Sequence, residues 1–341
     1  MRVESCRNSE LLTLNFELMP STPIKLIYFG TSSFAVPALR ALAAQRDLFE
    51  VLLVVSQPDR PVGRQAVITP PPVAAAAKEL GLPLYQPAKL RDGEAEKRLK
   101  PLSPDVFVVA AYGRILPPDL LAIPKRGALN LHGSILPRHR GASPLQSAIL
   151  QGDGETGITL MLMDAELDHG PILDTLRVPL VGNETFPQLE SRLGEAAAEQ
   201  IAARLPEYIA GRLPPQEQDH AGASFTGLIE KNHGGIVWSR QSASEIERMI
   251  RAYEPWPGVF AVWNRNGREL RLRILRAAVA ESTALAPGQV GLGEDGCPTV
   301  GTAEGNLRLL ELQIEGKNAQ AGDAFARGYR EFIGSRLGDG R

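Results

Sequence analysis

The residues best suited to chemistry in this 341-residue chain are concentrated in NLHGSILPRHRG, positions 130–141. Asn130 and His132 stand two apart on an apolar stretch, with Leu129 and Leu131 between and before them. Successive side chains of a strand point to opposite faces, so Asn130 and His132 project into one space while the leucines turn to a core. An amide and an imidazole facing one substrate suit acyl transfer. The amide N–H can stabilise a developing oxyanion while the imidazole exchanges a proton with an attacking or leaving nitrogen. A hydrogen-bonded pair closing a strand end is the plain structural alternative for so short a pattern.

An acidic turn, DAELDHG at 164–170, follows an apolar run and offers a third group. A carboxylate beside His132 would hold the ring in one tautomer and stabilise its charged form. Asp164 and Asp168 both fit this role by spacing, and either could instead close an Asx turn. The remaining histidines, His139, His169, His220 and His233, show no ligand spacing with acidic or cysteine partners, so no metal site is expected. Gly30 lacks a G-x-G-x-x-G context and no G-x-x-x-x-G-K-[ST] segment occurs, which argues against nicotinamide or ATP chemistry.

These side chains need a scaffold. IKLIYFG (24–30), VLLVV (51–55), DVFVVAAYG (105–113) and GALNLHGS (127–134) read as buried strands, with helices expected over TSSFAVPALRALAA and from Pro72 to Leu80. The first of these helices is expected to be capped, with Phe34, Pro37, Ala38 and Leu42 towards the core. Alternating strands and helices imply an α/β fold with a mostly parallel, Rossmann-like sheet, whose ligands sit beyond the carboxyl ends of the strands. Gly30, Ser56, Gln57, Tyr112, Gly113 and the segment 130–134 therefore belong around one crevice. ITLMLMD (158–164) and ILDTLRVPL (172–180) read as a strand pair, and Thr185 to Ile209 as one long amphipathic helix.

GRLPPQEQDHAG (211–222) has the composition of a linker, and the texture beyond it differs. SASEIERMIRAY opens with Ser242 and Glu245 in capping-box spacing. Short strands between Gly, Asn and Pro then suggest a small β-barrel of oligonucleotide-binding (OB) type. The expected organisation is a tail at 1–22, a catalytic domain at 23–210, a linker at 211–224 and the barrel domain at 225–335. The tail is polar and aperiodic, and Met19 offers an alternative start, so no function is assigned to it. A hairpin around Arg265 to Arg276 alternates Leu270, Leu272 and Ile274 with Arg271 and Arg273, which places arginines on one strand face. That face is either solvated or presented to a phosphate backbone.

Hydrophobic residues make up 43% and charged residues 22%, with a formal net charge of -2, so contact with nucleic acid would rest on local basic patches. No apolar run reaches membrane-spanning length. Two cysteines, Cys6 and Cys297, lie far apart and imply neither disulfide framework nor metal knuckle, in keeping with a cytoplasmic protein.

FGTSSFAVPAL (29–39), SQPDRPVGR (56–64), VAAYGRILP (109–117), NLHGSILPRHRGASPLQ (130–146), GDGETGITLMLMDAELDHGPIL (152–173) and EPWPG (254–258) occur in this order. In them the chain resembles the methionyl-tRNA formyltransferases of the folate-dependent formyltransferase superfamily, over nearly all of its length past the tail. The resemblance implies Asn130, His132 and Asp168 as the catalytic trio, choosing Asp168 over Asp164. It implies Ser134, Ile135, Leu136 and Pro137 as a folate-contacting segment. It further implies 10-formyltetrahydrofolate as donor, methionyl initiator tRNA as acceptor and partner, no metal, and a tRNA-contacting arm with Arg64 against the acceptor stem. A monomer is expected. The arm departs from the family by continuing QAVITPPP in place of further lysines, and GKNAQAG (316–322) is also less basic than its counterparts. Amino-sugar nucleotide and glycinamide ribonucleotide formyltransferases would share the trio. The first is not expected to carry the DRPVGR arm, and the second lacks a domain beyond the linker. A non-catalytic RNA- or folate-binding protein would have no need of the trio.

Overall fold

The computed structural model describes residues 22–63, 66–280 and 285–340. The expected tail, save its last residue, lies outside the described residues, as does Met19. Chain contacts divide the protein into two compact units: one comprising 1–142, 156–179 and 190–225, the other 143–155, 180–189 and 226–341.

The first unit is built on a seven-stranded sheet. Its strands are β1 (Ile24–Gly30), β2 (Phe49–Val55), β5 (Leu84–Tyr85), β6 (Val106–Ala110), β7 (Ala128–His132), β9 (Glu155–Leu162) and β10 (Ile172–Pro179), in spatial order β10-β9-β7-β6-β1-β2-β5. Strands β5, β2, β1, β6 and β7 run parallel, and β9 turns antiparallel against β7. The mostly parallel sheet expected from the alternation is present. Because β1 sits between β2 and β6, the chain winds outwards in both directions from it. The order therefore reverses at the β1–β6 junction, where such sheets open a crevice beyond their carboxyl ends.

Phe29 and Phe107 pack with ring centroids 4.9 Å apart on one face, together with Leu53, Val55 and Tyr112. Helices α1 (Val36–Ala44) and α2 (Pro72–Glu79) bury Leu39, Leu42, Val73 and Ala77. The chain enters α1 through a short 3-10 turn at Ser33–Ala35, and Ser32 makes no side-chain cap, unlike the capped start expected. Phe34 and Ala38 are buried as foreseen, whereas Pro37 is only half-buried. Gly30 ends β1 where a Cβ would lie 2.9 Å from Tyr28 Cε1, 3.0 Å from the Ala35 Cβ and 3.1 Å from Val73 Cγ2. A short hairpin, β3 (Arg60–Val62) with β4 (Val67–Thr69), projects after β2.

The long helix is present as α4 (Phe186–Ile209), preceded by α3 (Pro144–Gln151). Beyond it, β8 (Arg140–Gly141) pairs with β11 (Phe225–Thr226).

In the second unit, α5 (Ala243–Ala252) carries the foreseen capping box: Ser242 Oγ accepts from the Glu245 amide at 3.2 Å, and Glu245 Oε2 accepts from the Ser242 amide at 2.7 Å. An antiparallel sheet follows, built from β12 (Val259–Arg265), β13 (Arg268–Ala280), β14 (Val290–Leu292), β15 (Pro298–Gly301), β16 (Asn306–Ile314), β17 (Gln320–Ala321) and β18 (Leu337–Gly338). Its order is β14-β15-β16-β13-β12-β18, with β17 on the side of β16. A bridge between Gln289 and Arg336 joins the chain beside the two end strands, so the sheet curls into a barrel-like form. Trp263, Phe325 and Phe332 fill it with edge and tilted ring contacts, assisted by α6 (Gly322–Gly328). Leu272 and Ile274 face this core. Arg271 and Arg273 take the other side, as the alternation requires, but they are half-buried. The Arg271 guanidinium lies 3.5 Å from the Phe260 ring centroid, and Arg273 Nη1 lies 3.4 Å from Gln313 Oε1.

Candidate active site

Strand β7 presents its two polar residues at the carboxyl end of the sheet. Asn130 is in register with Val109 of β6 and Met161 of β9, while His132 is opposite Thr159. Both side chains meet one carboxylate. Asn130 Nδ2 donates to Asp168 Oδ1 at 3.3 Å, and His132 Nδ1 lies 3.6 Å from the same oxygen. The other carboxylate oxygen, Oδ2, accepts from the Gly141 amide at 2.8 Å. Side-chain exposures of 6% for His132 and 11% for Asp168 put this pair in a poorly solvated place, where charge interactions act over short range with little screening.

The imidazole is fixed from its other side. His132 Nε2 lies 2.9 Å from the carbonyl oxygen of His139, an acceptor only, so Nε2 carries the proton and Nδ1 of the neutral ring has its lone pair towards Asp168. In the neutral ring a main-chain carbonyl seven residues on thus holds one nitrogen, with the carboxylate beside the other. His139 itself adopts a left-handed conformation, φ +58°, as does Asp168 at φ +50°. Non-glycine residues rarely occupy that region, and the surrounding contacts must hold them there.

Asp164, the rival acid, is engaged elsewhere. Its Oδ1 accepts from the Glu166 amide at 2.9 Å in an Asx turn, and its Oδ2 lies 2.7 Å from His169 Nδ1. The His169 ring stacks flat on His220 with centroids 4.1 Å apart.

The segment after β7 is pinned rather than free. Thr159 Oγ1 donates to the Ser134 carbonyl at 2.7 Å and accepts from the Leu136 amide at 3.1 Å, while Ser134 Oγ donates to the Arg138 carbonyl at 2.6 Å. Ser134 and Leu136 are buried, whereas Ile135 and Pro137 remain half-exposed beside the trio. The ends of the neighbouring strands are tied together: Thr31 Oγ1 and Gln57 Nε2 both donate to the Tyr112 carbonyl, at 2.8 and 2.9 Å. Burial pushes the Tyr112 phenol up to about 12, so it stays protonated. Gln57 and Tyr112, two of the residues expected around one crevice, are joined directly.

Arg64 lies outside the described residues. The hairpin that leads to it is solvent-facing, with Ile68 63% exposed, and Arg60 Nη2 donates to Gln57 Oε1 at 2.7 Å. Among the described residues no group of three or more His, Cys, Asp or Glu could hold a metal ion, and no helix is long and apolar enough to cross a membrane.

Several supporting residues escaped the sequence reading: His139 and Gly141, which act through backbone atoms, Thr159 across the sheet, and Arg140 and Gln218. Arg140, 4% exposed, donates from Nη2 to Gln218 Oε1 at 2.7 Å. Gln218 Nε2 in turn donates to the carbonyls of Asp168 and Gly170, at 2.9 and 2.7 Å. A buried arginine only eight residues after His132 was the one readable hint. Gln218 carried none, standing in a stretch whose composition reads as linker.

Residues 24–205 match the Formyl transferase family model, and residues 228–330 match that of the Formyl transferase C-terminal domain. The methionyl-tRNA formyltransferase of Roseiflexus sp. (strain RS-1) is 43% identical over 317 residues, covering 93% of this chain and 96% of its own length. That of Geobacter sulfurreducens is 39% identical, covering 93% of this chain and 97% of its own. Among solved structures, the N-formyltransferase of Helicobacter canadensis, in complex with folinic acid and dTDP-3-aminofucose, superposes with a TM-score of 0.61 at 18% identity, covering 84% of this chain and 98% of that one. HypX from Aquifex aeolicus with tetrahydrofolic acid gives 0.56 at 16% identity, covering 91% of this chain and 47% of that one; both likenesses speak to the fold. With two family models spanning both units and relatives near 40% identity over almost the whole chain, the protein belongs to the methionyl-tRNA formyltransferase family.

Proposed function

We propose that this protein transfers the formyl group of 10-formyltetrahydrofolate to the α-amine of methionine carried on initiator tRNA, in the cytoplasm, in support of translation initiation. The single observation carrying the chemistry is the convergence of Asn130 Nδ2 and His132 Nδ1 on one oxygen of Asp168.

The free amine of the methionyl ester attacks the formyl carbon. A new C–N bond forms and the formyl oxygen becomes an oxyanion. One N–H of Asn130 is directed to Asp168, and the second N–H of the same amide is the donor for that oxygen. With Nε2 held on the His139 carbonyl, proton exchange runs through Nδ1 of His132. That atom takes a proton from the attacking nitrogen, and Asp168 offsets the positive charge the ring then carries. The intermediate collapses with cleavage of the bond between the formyl carbon and the folate nitrogen. The ring returns its proton to that nitrogen, leaving tetrahydrofolate and formyl-methionyl-tRNA. Ser134, Ile135, Leu136 and Pro137 supply the wall for the folate, Ile135 and Pro137 having the exposed surface to do so. Arg64 is assigned to the acceptor stem on family resemblance alone, and the protein acts as a monomer with no metal.

The test is formyl transfer from 10-formyltetrahydrofolate, run with methionyl initiator tRNA and, in parallel, with an amino-sugar nucleotide. Product on the tRNA alone is expected. Transfer to the sugar alone would overturn the acceptor while leaving the role of the trio standing.

A further inference from the structure

The segment between α4 and β11 is a strap laid across both loops that carry the site. Gln216 exchanges two backbone hydrogen bonds with Ile172, of 2.7 and 2.8 Å, just beyond the Asp168 turn. At the other end, Ser224 grips the loop that follows His132. Its hydroxyl accepts from the His139 amide at 2.9 Å, and its carbonyl accepts from the Arg140 amide at 2.8 Å. Gln218 lies between these anchors, 6% exposed, although Glu217 and Asp219 on either side are exposed.

The Gln218 amide joins the two loops. Its oxygen accepts from Arg140 Nη2 at 2.7 Å and from Nε at 3.3 Å. Its nitrogen spends both protons on main-chain carbonyls, those of Asp168 and Gly170. An amide has one acceptor oxygen and two N–H donors, and here every one is used, so its orientation is unambiguous. The first carbonyl belongs to Asp168 itself, which sits at φ +50°, a conformation uncommon for a residue with a side chain, and the second lies two residues on. Arg140 immediately precedes Gly141, whose amide holds Asp168 Oδ2. One side chain thus fixes the backbone of the acid and, through Arg140, the amide that aims its carboxylate.

We infer that Gln218 is a positioning residue for the transfer reaction, setting the aim of Asp168 towards Asn130 and His132 from a strap outside the site. This rests on the proposed role of the trio. Misplacing a reacting group by about 1 Å costs on the order of 100-fold in rate.

Steady-state formylation by the full chain tests it, with kcat and KM measured separately for donor and for methionyl initiator tRNA, beside thermal melting. Gln218→Ala should lower kcat by roughly 10- to 100-fold while both KM values stay within about twofold. Because alanine also takes one partner from the buried Arg140, which keeps His220 Nδ1 at 2.8 Å, Gln218→Glu retains that contact and changes only the donors to the Asp168 turn. Its carboxylate still accepts from Arg140 while the two carbonyls lose their donors at about 1–3 kcal/mol each, so kcat is compared at a temperature where melting shows both variants folded. As a carboxylate it cannot donate to the Asp168 and Gly170 carbonyls, so kcat should still fall. Gln218→Glu with parental kcat, or a loss confined to KM in either variant, would overturn the inference. His132→Ala is assayed alongside. If it retains activity the trio reading fails, whereas an inactive His132→Ala beside a fully active Gln218→Glu rejects the strap alone.

Discussion

Strand β7 and the turn at 164–170 deliver groups to the same few ångströms by opposite means. β7 is held on both sides by ladder partners, so once it exists the placement of Asn130 and His132 follows from the alternation of side chains. The turn has no such frame. Asp168 sits at φ +50° and owes its position to Gly141, Gln218 and Asn130, contributed by three other parts of the chain. A strand places a side chain by periodicity; a turn places one by long-range hydrogen bonds that must be supplied separately. The two should therefore respond differently to mutation.

The largest effects belong to the strand. Removing a general acid–base from a transfer step costs about 100- to 10,000-fold, and removing an oxyanion donor about 100- to 1,000-fold. His132→Ala and Asn130→Ala are accordingly expected to lose that much kcat in a formylation assay. They should differ in stability, because His132→Ala also removes the ring contact to the His139 carbonyl, at about 1 kcal/mol. Equal melting temperatures for the two would mean that the His139 contact does not fix the ring.

The same contrast explains what could be read in advance. The shared face of Asn130 and His132 and the Ser242–Glu245 cap follow from spacings of two and three residues, and the sheet with its parallel sense from the alternation of strands and helices. Asp168 could be separated from Asp164 only by resemblance, since both lie in one short acidic turn and what distinguishes them is contact with Asn130 and His132, more than thirty residues earlier. Gln218 bonds to Arg140 across 78 residues, and its neighbours have the composition of a linker. The missing cap at Ser32 has a local cause: the chain enters α1 through a 3-10 turn, which carries Ser32 away from the helix start.

The turn should show its strain when the residue is changed without regard to chemistry. Asp168→Gly and Asp168→Ala both delete the carboxylate and with it the bond to Gly141, so both are expected to lose turnover to a similar extent. Glycine adopts φ +50° freely, whereas a Cβ makes the left-handed region about 1–2 kcal/mol less favourable. Denaturant unfolding should therefore place Asp168→Gly above Asp168→Ala by about 1 kcal/mol. The reverse order would show that the backbone relaxes out of this conformation once the carboxylate is gone, and that the side chain itself was holding the turn.

The smallest effect comes from the start of α5, where the cap itself is local although the Ala243 amide also donates to the Glu304 carbonyl at 2.9 Å. Ser242 caps the helix three residues before Glu245, and the reciprocal bonds need no help from distant chain. Ser242→Ala is expected to cost about 1 kcal/mol of stability without changing kcat. The cap also carries a pH signature. The bonds from the Ser242 amide and hydroxyl hold the Glu245 carboxyl below its ordinary value. A carboxyl lowered in the folded state adds stability that is fully present above its unfolded value, about 4.3, and is lost as pH falls through the lower folded value. The stability gap between the parent and Ser242→Ala should therefore be constant near neutrality and narrow in acid below that point. A gap of the same size at every pH would mean that the bond from the Ser242 hydroxyl to the Glu245 carboxylate contributes nothing, since the bond from the backbone amide is kept in both proteins.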